Sequence, residues 1–225
     1  MSSEGFDAVR IGAGNARKQA KDTRRKWKNQ PSPQRDLDFE AALRNLDEAI
    51  ERLTPFASEG SAYRKDAERE IGDCYGVQGG TYRDWGKYGE AADAYDRGLP
   101  FERSGQPNSY CLVQRLVSRI LEDPVAFQRA APIRGVDVTA ELKASVEEIQ
   151  RQKKVLRKGD PWAQADLALV LQLLSSEGAE IEWDNLDDMK PDHGVYESTL
   201  EVVRLIRKKL PFDAWMDVEN RLAFA

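Results

Sequence analysis

Residues 67–100, AEREIGDCYGVQGGTYRDWGKYGEAADAYDRGLP, decide the fold. Ile71, Gly72 and Tyr75 stand at i, i+1 and i+4, and Ala91, Tyr95 and Gly98 at i, i+4 and i+7. Both spacings return to one side of a helix, so the stretch reads as two antiparallel helices. Gly72 and Gly98 allow the two backbones to approach, and Tyr75 and Tyr95 fill the space between them. Pro100 marks the end of the second helix.

Working outward, Ala42, Leu46 and Ala49 repeat the small–large–small spacing of Ala91, Tyr95 and Gly98 at a constant offset of 49 residues. An internal repeat of this kind is the mark of stacked helical hairpins. The expected fold is all-α, an α-solenoid-like array of roughly eight to eleven helices without a sheet. A first helix is predicted over 7–28, with Ala13, Ala16, Ala20 and Trp27 on one face. NQPSPQ at 29–34 reads as a linker, and Asp36 as the cap of a helix over 36–54. After a turn at 104–108, Asn108 caps an apolar-periodic helix over 109–122. Residues 123–138 hold two prolines and a glycine and read as an irregular connection with one helical turn. Thr139 is expected to cap a helix reaching Lys158, Gly159 to end it, and Asp160–Pro161 to open the next. That next helix, with Trp162, Ala165, Leu169 and Leu173, is apolar almost all round and reads as central. A short helix follows over 180–190 and a further one over 195–209, and Pro211 begins a terminal one with Phe212, Trp215, Val218 and Leu222. The basic helix of residues 1–30 is expected to dock on a repeat domain of residues 35–225.

Composition narrows the function. Charged residues make up 32 % of the 225 and aromatics 8 %, as in a folded, water-soluble protein. No run of about 18 apolar residues is present, so no membrane span is expected. The start, MSSEGFDAVR, lacks the apolar core of a signal peptide, which points to a cytoplasmic protein. Cys74 and Cys111 sit in helical patterns and read as buried, reduced thiols. The net charge of -5 conceals an asymmetry: residues 10–28 hold eight basic side chains against Asp22, or +7, which leaves -12 for the rest. Such a chain can pair its basic arm with its own acidic body, with another copy, or with an anionic partner. Arg17, Lys18, Lys21, Arg24 and Arg25 are the candidate contacts, and nucleic acid is the alternative partner class.

Enzymatic constellations are sparse. His193 is the only histidine and has no neighbouring His or Cys, so neither a metal site nor a nucleophile–histidine arrangement is expected, and no cofactor. GAGN at 12–15 lacks the third glycine and the preceding strand of a dinucleotide loop. The strongest candidate site is Tyr75, Gly79, Gly80, Tyr82 and Arg83, with Tyr95 and Arg97 on the partner helix and Tyr110 and Arg115 on the next. Glycines expose backbone, tyrosines stack on rings, and arginines fork onto phosphate or carboxylate. The same residues also suit plain packing. As a binding group, Arg83 would lie on the outer face beside the glycine pair, where its removal costs little stability.

GDCYGVQGGTYRDWG, EAADAYDRGLPFE and NSYCLVQRLV, with PWAQADLALVLQLL and VYESTLEVVRLIRKKL later, carry a resemblance. They resemble a bacterial group of divergent tetratricopeptide-repeat proteins, akin to the repeat region in the central regulatory part of apoptosis-signal-regulating kinases. The resemblance covers roughly residues 60–210 and implies a non-enzymatic adaptor or sensor in stress or conflict signalling. It implies another protein as partner, and a nucleotide-derived small molecule as the alternative. The chain departs from the ordinary repeat at one place. Ala91 follows Gly72 by nineteen positions, where about twelve are usual. The surplus is close to two helical turns and holds Gly76, Gly79 and Gly80, each costing about 1 kcal/mol inside a helix. Close contact, a break, or a ligand on bare backbone would each explain them.

Overall fold

Side chains that satisfy the loose ends of the backbone set the helix boundaries. The computed structural model describes residues 3–28, 30, 32–104, 108–210 and 213–224, apart from the side chains at 103, 104, 214 and 224. Among them are eleven α-helices, a single 3-10 turn (Thr54–Ala57) and no sheet, so the fold is all-α. The chain divides into two compact units, Met1–Ser118 and Arg119–Ala225. This division falls far from the 29–34 linker.

The first unit is built from α1 (Ser3–Lys26), α2 (Pro33–Leu53), α3 (Arg64–Trp85), α4 (Tyr88–Ser104) and the start of α5 (Tyr110–Glu122). α1 packs on α2 and α3, α2 on α3, and α3 on α4. Ser32 caps α2: its hydroxyl accepts from the Gln34 amide at 3.2 Å, and Pro33 takes the first helical position. Asp36, expected as that cap, lies inside the first turn and accepts from Trp85 Nε1 at 2.6 Å. Ala13, Ala16 and Ala20 of α1 are buried against Leu46, Ile71 and their neighbours. Phe6 closes this core at one end, stacked on Tyr63 with centroids 4.7 Å apart. Ala42, Leu46 and Ala49 are buried, as are Ala91, Tyr95 and Gly98, so the two repeated triplets occupy equivalent inward positions.

α4 continues through Pro100 instead of stopping there. The extra turn is anchored beyond the proline. Both Glu102 carboxylate oxygens, buried, accept from the Cys111 amide at 2.9 and 3.0 Å, while Phe101 stacks on Tyr75. A carboxylate at a helix N-terminus satisfies an open backbone donor and suits the dipole of α5. Asn108 caps α5 as expected, accepting from the Tyr110 amide at 2.9 Å. The other residues of the expected turn, 105–107, lie outside the described residues.

The second unit holds the end of α5, α6 (Pro124–Gln128), α7 (Val138–Val155), α8 (Pro161–Leu173), α9 (Gly178–Asp188), α10 (His193–Lys209) and α11 (Asp213–Phe224). α8 is central, packing on α7, α9 and α10, and α11 packs on α10. Asp137 caps α7 by accepting from the Ala140 amide at 2.9 Å, so the helix starts before Thr139, the expected cap. It stops at Val155, short of Lys158, and Gly159 turns the chain at φ 74°. Asp160 then accepts from the Trp162 amide and opens α8 as expected. Trp162, grouped with the buried face of α8, is exposed: it stands in the first turn, ahead of the apolar run. Trp215, Val218 and Leu222 of α11 are buried, while Pro211 and Phe212 lie outside the described residues.

Candidate functional site

α3 runs unbroken through Gly76, Gly79 and Gly80, and side chains of the same unit take up the room they leave. A Cβ on Gly79 would stand 2.6 Å from the Tyr95 ring, and one on Gly80 2.7 Å from Arg24 Nη1. One on Gly76 would stand 3.4 Å from the Tyr110 ring. Close contact is therefore what these glycines serve. Tyr95 is fully buried, and Tyr110 meets it edge-on with centroids 5.8 Å apart. Burial pushes the Tyr95 phenol well above its ordinary range.

The charges in this region hold one another. Arg24 Nε donates to Asp84 Oδ2 at 2.6 Å, and Arg35 donates to the Asp84 carbonyl at 2.8 Å. Arg83 Nε lies 3.5 Å from Asp84 Oδ1, and its Nη1 donates to Gln114 of α5. Burial opposes ionisation of Asp84, but Arg24 and Arg83 outweigh it and hold the carboxyl below its ordinary range. Arg83 is only 4 % exposed, which corrects its expected place on an outer face. α1, α4 and α5 surround that end of α3, so a helix position that would face water in an ordinary hairpin is covered here.

The remaining candidate residues form separate groups nearer the surface. Tyr75 is half-buried and carries Arg97 over its ring at 5.4 Å. Arg115 donates to Asp96 at 2.8 Å. Half-buried Tyr82 is the exception, packing with Tyr110 against the group around Tyr95. Gly79, Gly80, Tyr82, Arg83, Tyr95 and Tyr110 are thus brought together, whereas Tyr75–Arg97 and Arg115–Asp96 are not part of that cluster.

The basic arm is divided by its docking. Arg17 joins Arg24 in facing inward, its Nη1 2.6 Å from Glu70 Oε2. At the end of α1, Asp38 gathers Lys26, Gln34 and Trp27 at 2.7–2.8 Å, which brings its carboxyl down to about 2. Lys18, Lys21 and Arg25 stay exposed, with Arg25 3.3 Å from Asp22. Gly12 and Gly14 lie in the middle of α1, with nothing within 4 Å of an added Cβ. Sequence reasoning missed Asp84, Glu70 and Gln114. The available signal was the seven-residue spacing of Arg17 and Arg24, which places both beside the buried alanine stripe.

Neither thiol is set up as a nucleophile. Cys74 and Cys111 are buried and free; burial pushes Cys74 up to about 11 and Cys111 well above its ordinary value. Among the described residues no group of three or more His, Cys, Asp or Glu is placed to hold a metal ion, and no helix is long and apolar enough to cross a membrane. The chain matches no known family model, no curated protein and no solved structure.

Proposed function

We propose that the protein is a non-enzymatic helical-hairpin module that acts by binding another protein. The resemblance to divergent tetratricopeptide proteins supports reading that module as a bacterial adaptor or sensor in stress or conflict signalling. One observation carries the reading: the Gly–Tyr–Arg interior is filled by Tyr95, Arg24 and Tyr110 of the chain itself. Recognition then falls to the outer surface of the helices, where repeat arrays hold peptides and partner helices. Affinity capture with the intact protein, followed by co-elution of the two purified partners at fixed stoichiometry, is the test. Stabilisation by a nucleotide-derived compound in a thermal-shift screen, with no captured protein, would favour the ligand-sensor reading instead.

A second reading rests on the exposed face that α1 keeps after docking. Lys18, Lys21 and Arg25 recur at i, i+3 and i+7, one stripe along the helix. A phosphate backbone suits such a stripe. Binding to a duplex that weakens steeply with salt, and is lost when the three are made neutral, would support it.

A further inference from the structure

The corner where α7 hands over to α8 leaves large apolar side chains in solvent. Val155 is 74 % exposed, Leu156 57 % and Trp162 42 %. The turn that carries them is pinned, because Arg157 Nε donates to Asp160 Oδ2 at 2.7 Å. Lys154 and Lys158 stand exposed among them. This is an apolar patch rimmed by positive charge, the kind of surface that marks an interaction site.

α9 presents the opposite pattern. Ile181 is 61 % exposed, flanked by exposed Glu177, Glu180, Asp184 and Asp188, of which Asp184 is already paired with Arg221 of α11. Counted from 177, these positions recur at i, i+3, i+4, i+7 and i+11, so they share one side of the helix. Its inner edge is tied to the other two helices through Glu182, which accepts from Gln164 Nε2 at 2.7 Å and lies 3.5 Å from Lys153 Nζ. The basic apolar corner and the acidic face with its exposed isoleucine therefore adjoin on one unit.

We infer that the occupant of the α7–α8 corner is the α9 face of a second copy of this chain. The inference rests on the reading of the protein as a binding module and names one partner. Each surface supplies what the other lacks: Ile181 meets Val155, Leu156 and Trp162, and carboxylates meet Lys154 and Lys158. Because the two surfaces adjoin, a two-fold axis brings corner to α9 twice in one dimer and closes the assembly. Apolar burial drives association, and the opposed charges fix register and exclude the reverse pairing.

Sedimentation of the whole chain from about 1 µM to about 200 µM, the range in which modest interfaces assemble, tests this. The mass should rise from one chain to two. Lys154→Glu with Lys158→Glu, and separately Glu180→Lys with Asp188→Lys, should each weaken self-association at least about tenfold by setting like charges face to face. An equimolar mixture of the two variants should associate again, since each then offers the other opposite charges. That recovery separates a lost contact from a lost fold. A chain that stays monomeric throughout overturns the inference, as do variants that dimerise like the parent. A monomer that binds anionic phosphatidylglycerol vesicles through Lys154 and Lys158 also overturns it, in favour of a lipid surface. A monomer that captures a different protein overturns this inference and leaves the proposed function standing. A dimer that captures nothing else does the reverse.

Discussion

The Tyr95 ring occupies the space into which Gly79 would project a side chain, with 2.6 Å between a built Cβ and the nearest ring carbon. Because Tyr95 is fully buried and edge-on to Tyr110, the ring has nowhere to retreat. Gly79→Ala should therefore destabilise the protein, although alanine favours a helix by about 1 kcal/mol. Overpacking of about 1–3 kcal/mol offsets that gain and leaves a net loss of up to roughly 2 kcal/mol, read by urea unfolding. Gly14→Ala is the opposite case: open space surrounds it, so stability should rise by up to about 1 kcal/mol.

Arg83→Ala should lower folding stability by roughly 2–4 kcal/mol. It removes a buried guanidinium and leaves Gln114 and Asp84 short of a donor. Lysine should not restore the loss, because a single ammonium cannot reach both partners with the geometry of a planar fork. A melting temperature within about 1 °C of the parent would return Arg83 to the surface role expected of it.

Arg24→Ala should soften the acid sensitivity of the fold. Asp84 has a folded pKa below its unfolded value of about 3.9. Its contribution is thus fully present above that unfolded value and is lost as pH falls through the folded one. Without Arg24 the difference narrows, so the stability curve below about pH 4 should be flatter than the parent's. The variant should also lose roughly 1–3 kcal/mol at neutral pH, less than for a fully buried pair because both side chains keep some contact with water. Identical acid limbs for the two proteins would show that another carboxylate governs the transition.

Cys74 and Cys111 should resist alkylation in the native state. With Cys74 raised to about 11, roughly one molecule in several thousand carries the thiolate at pH 7.4. Iodoacetamide labelling followed by mass spectrometry should track global unfolding, and rapid labelling under native conditions would contradict the burial of both residues.

Helix existence was legible because it depends on periodicity, which is local. Ala42, Leu46 and Ala49 could be matched to Ala91, Tyr95 and Gly98 without a structure, and all six are buried. Helix ends were less legible because several residues compete to cap. Ser32 precedes Asp36 and has Pro33 behind it; Asp137 precedes Thr139. The Gly79–Gly80 pair was recognised as needing an explanation, yet its neighbours Tyr95 and Arg24 lie 16 positions after and 56 positions before. Periodicity within one helix carries no information on which distant side chain fills a gap. The same limit hid the burial of Arg83, whose outward position assumed a helix with one covered face.

α3 has a consequence for the order in which the chain can be made. Four interior glycines cost it about 4 kcal/mol of helix propensity, so it is a poor helix on its own. The side chains that fill those gaps arrive from both directions: Arg24 is synthesised before α3, but Tyr95 and Tyr110 follow it. During translation, α1 and α2 can pair early, while the stretch that organises the whole first unit stays unsettled until residue 110 has left the ribosome.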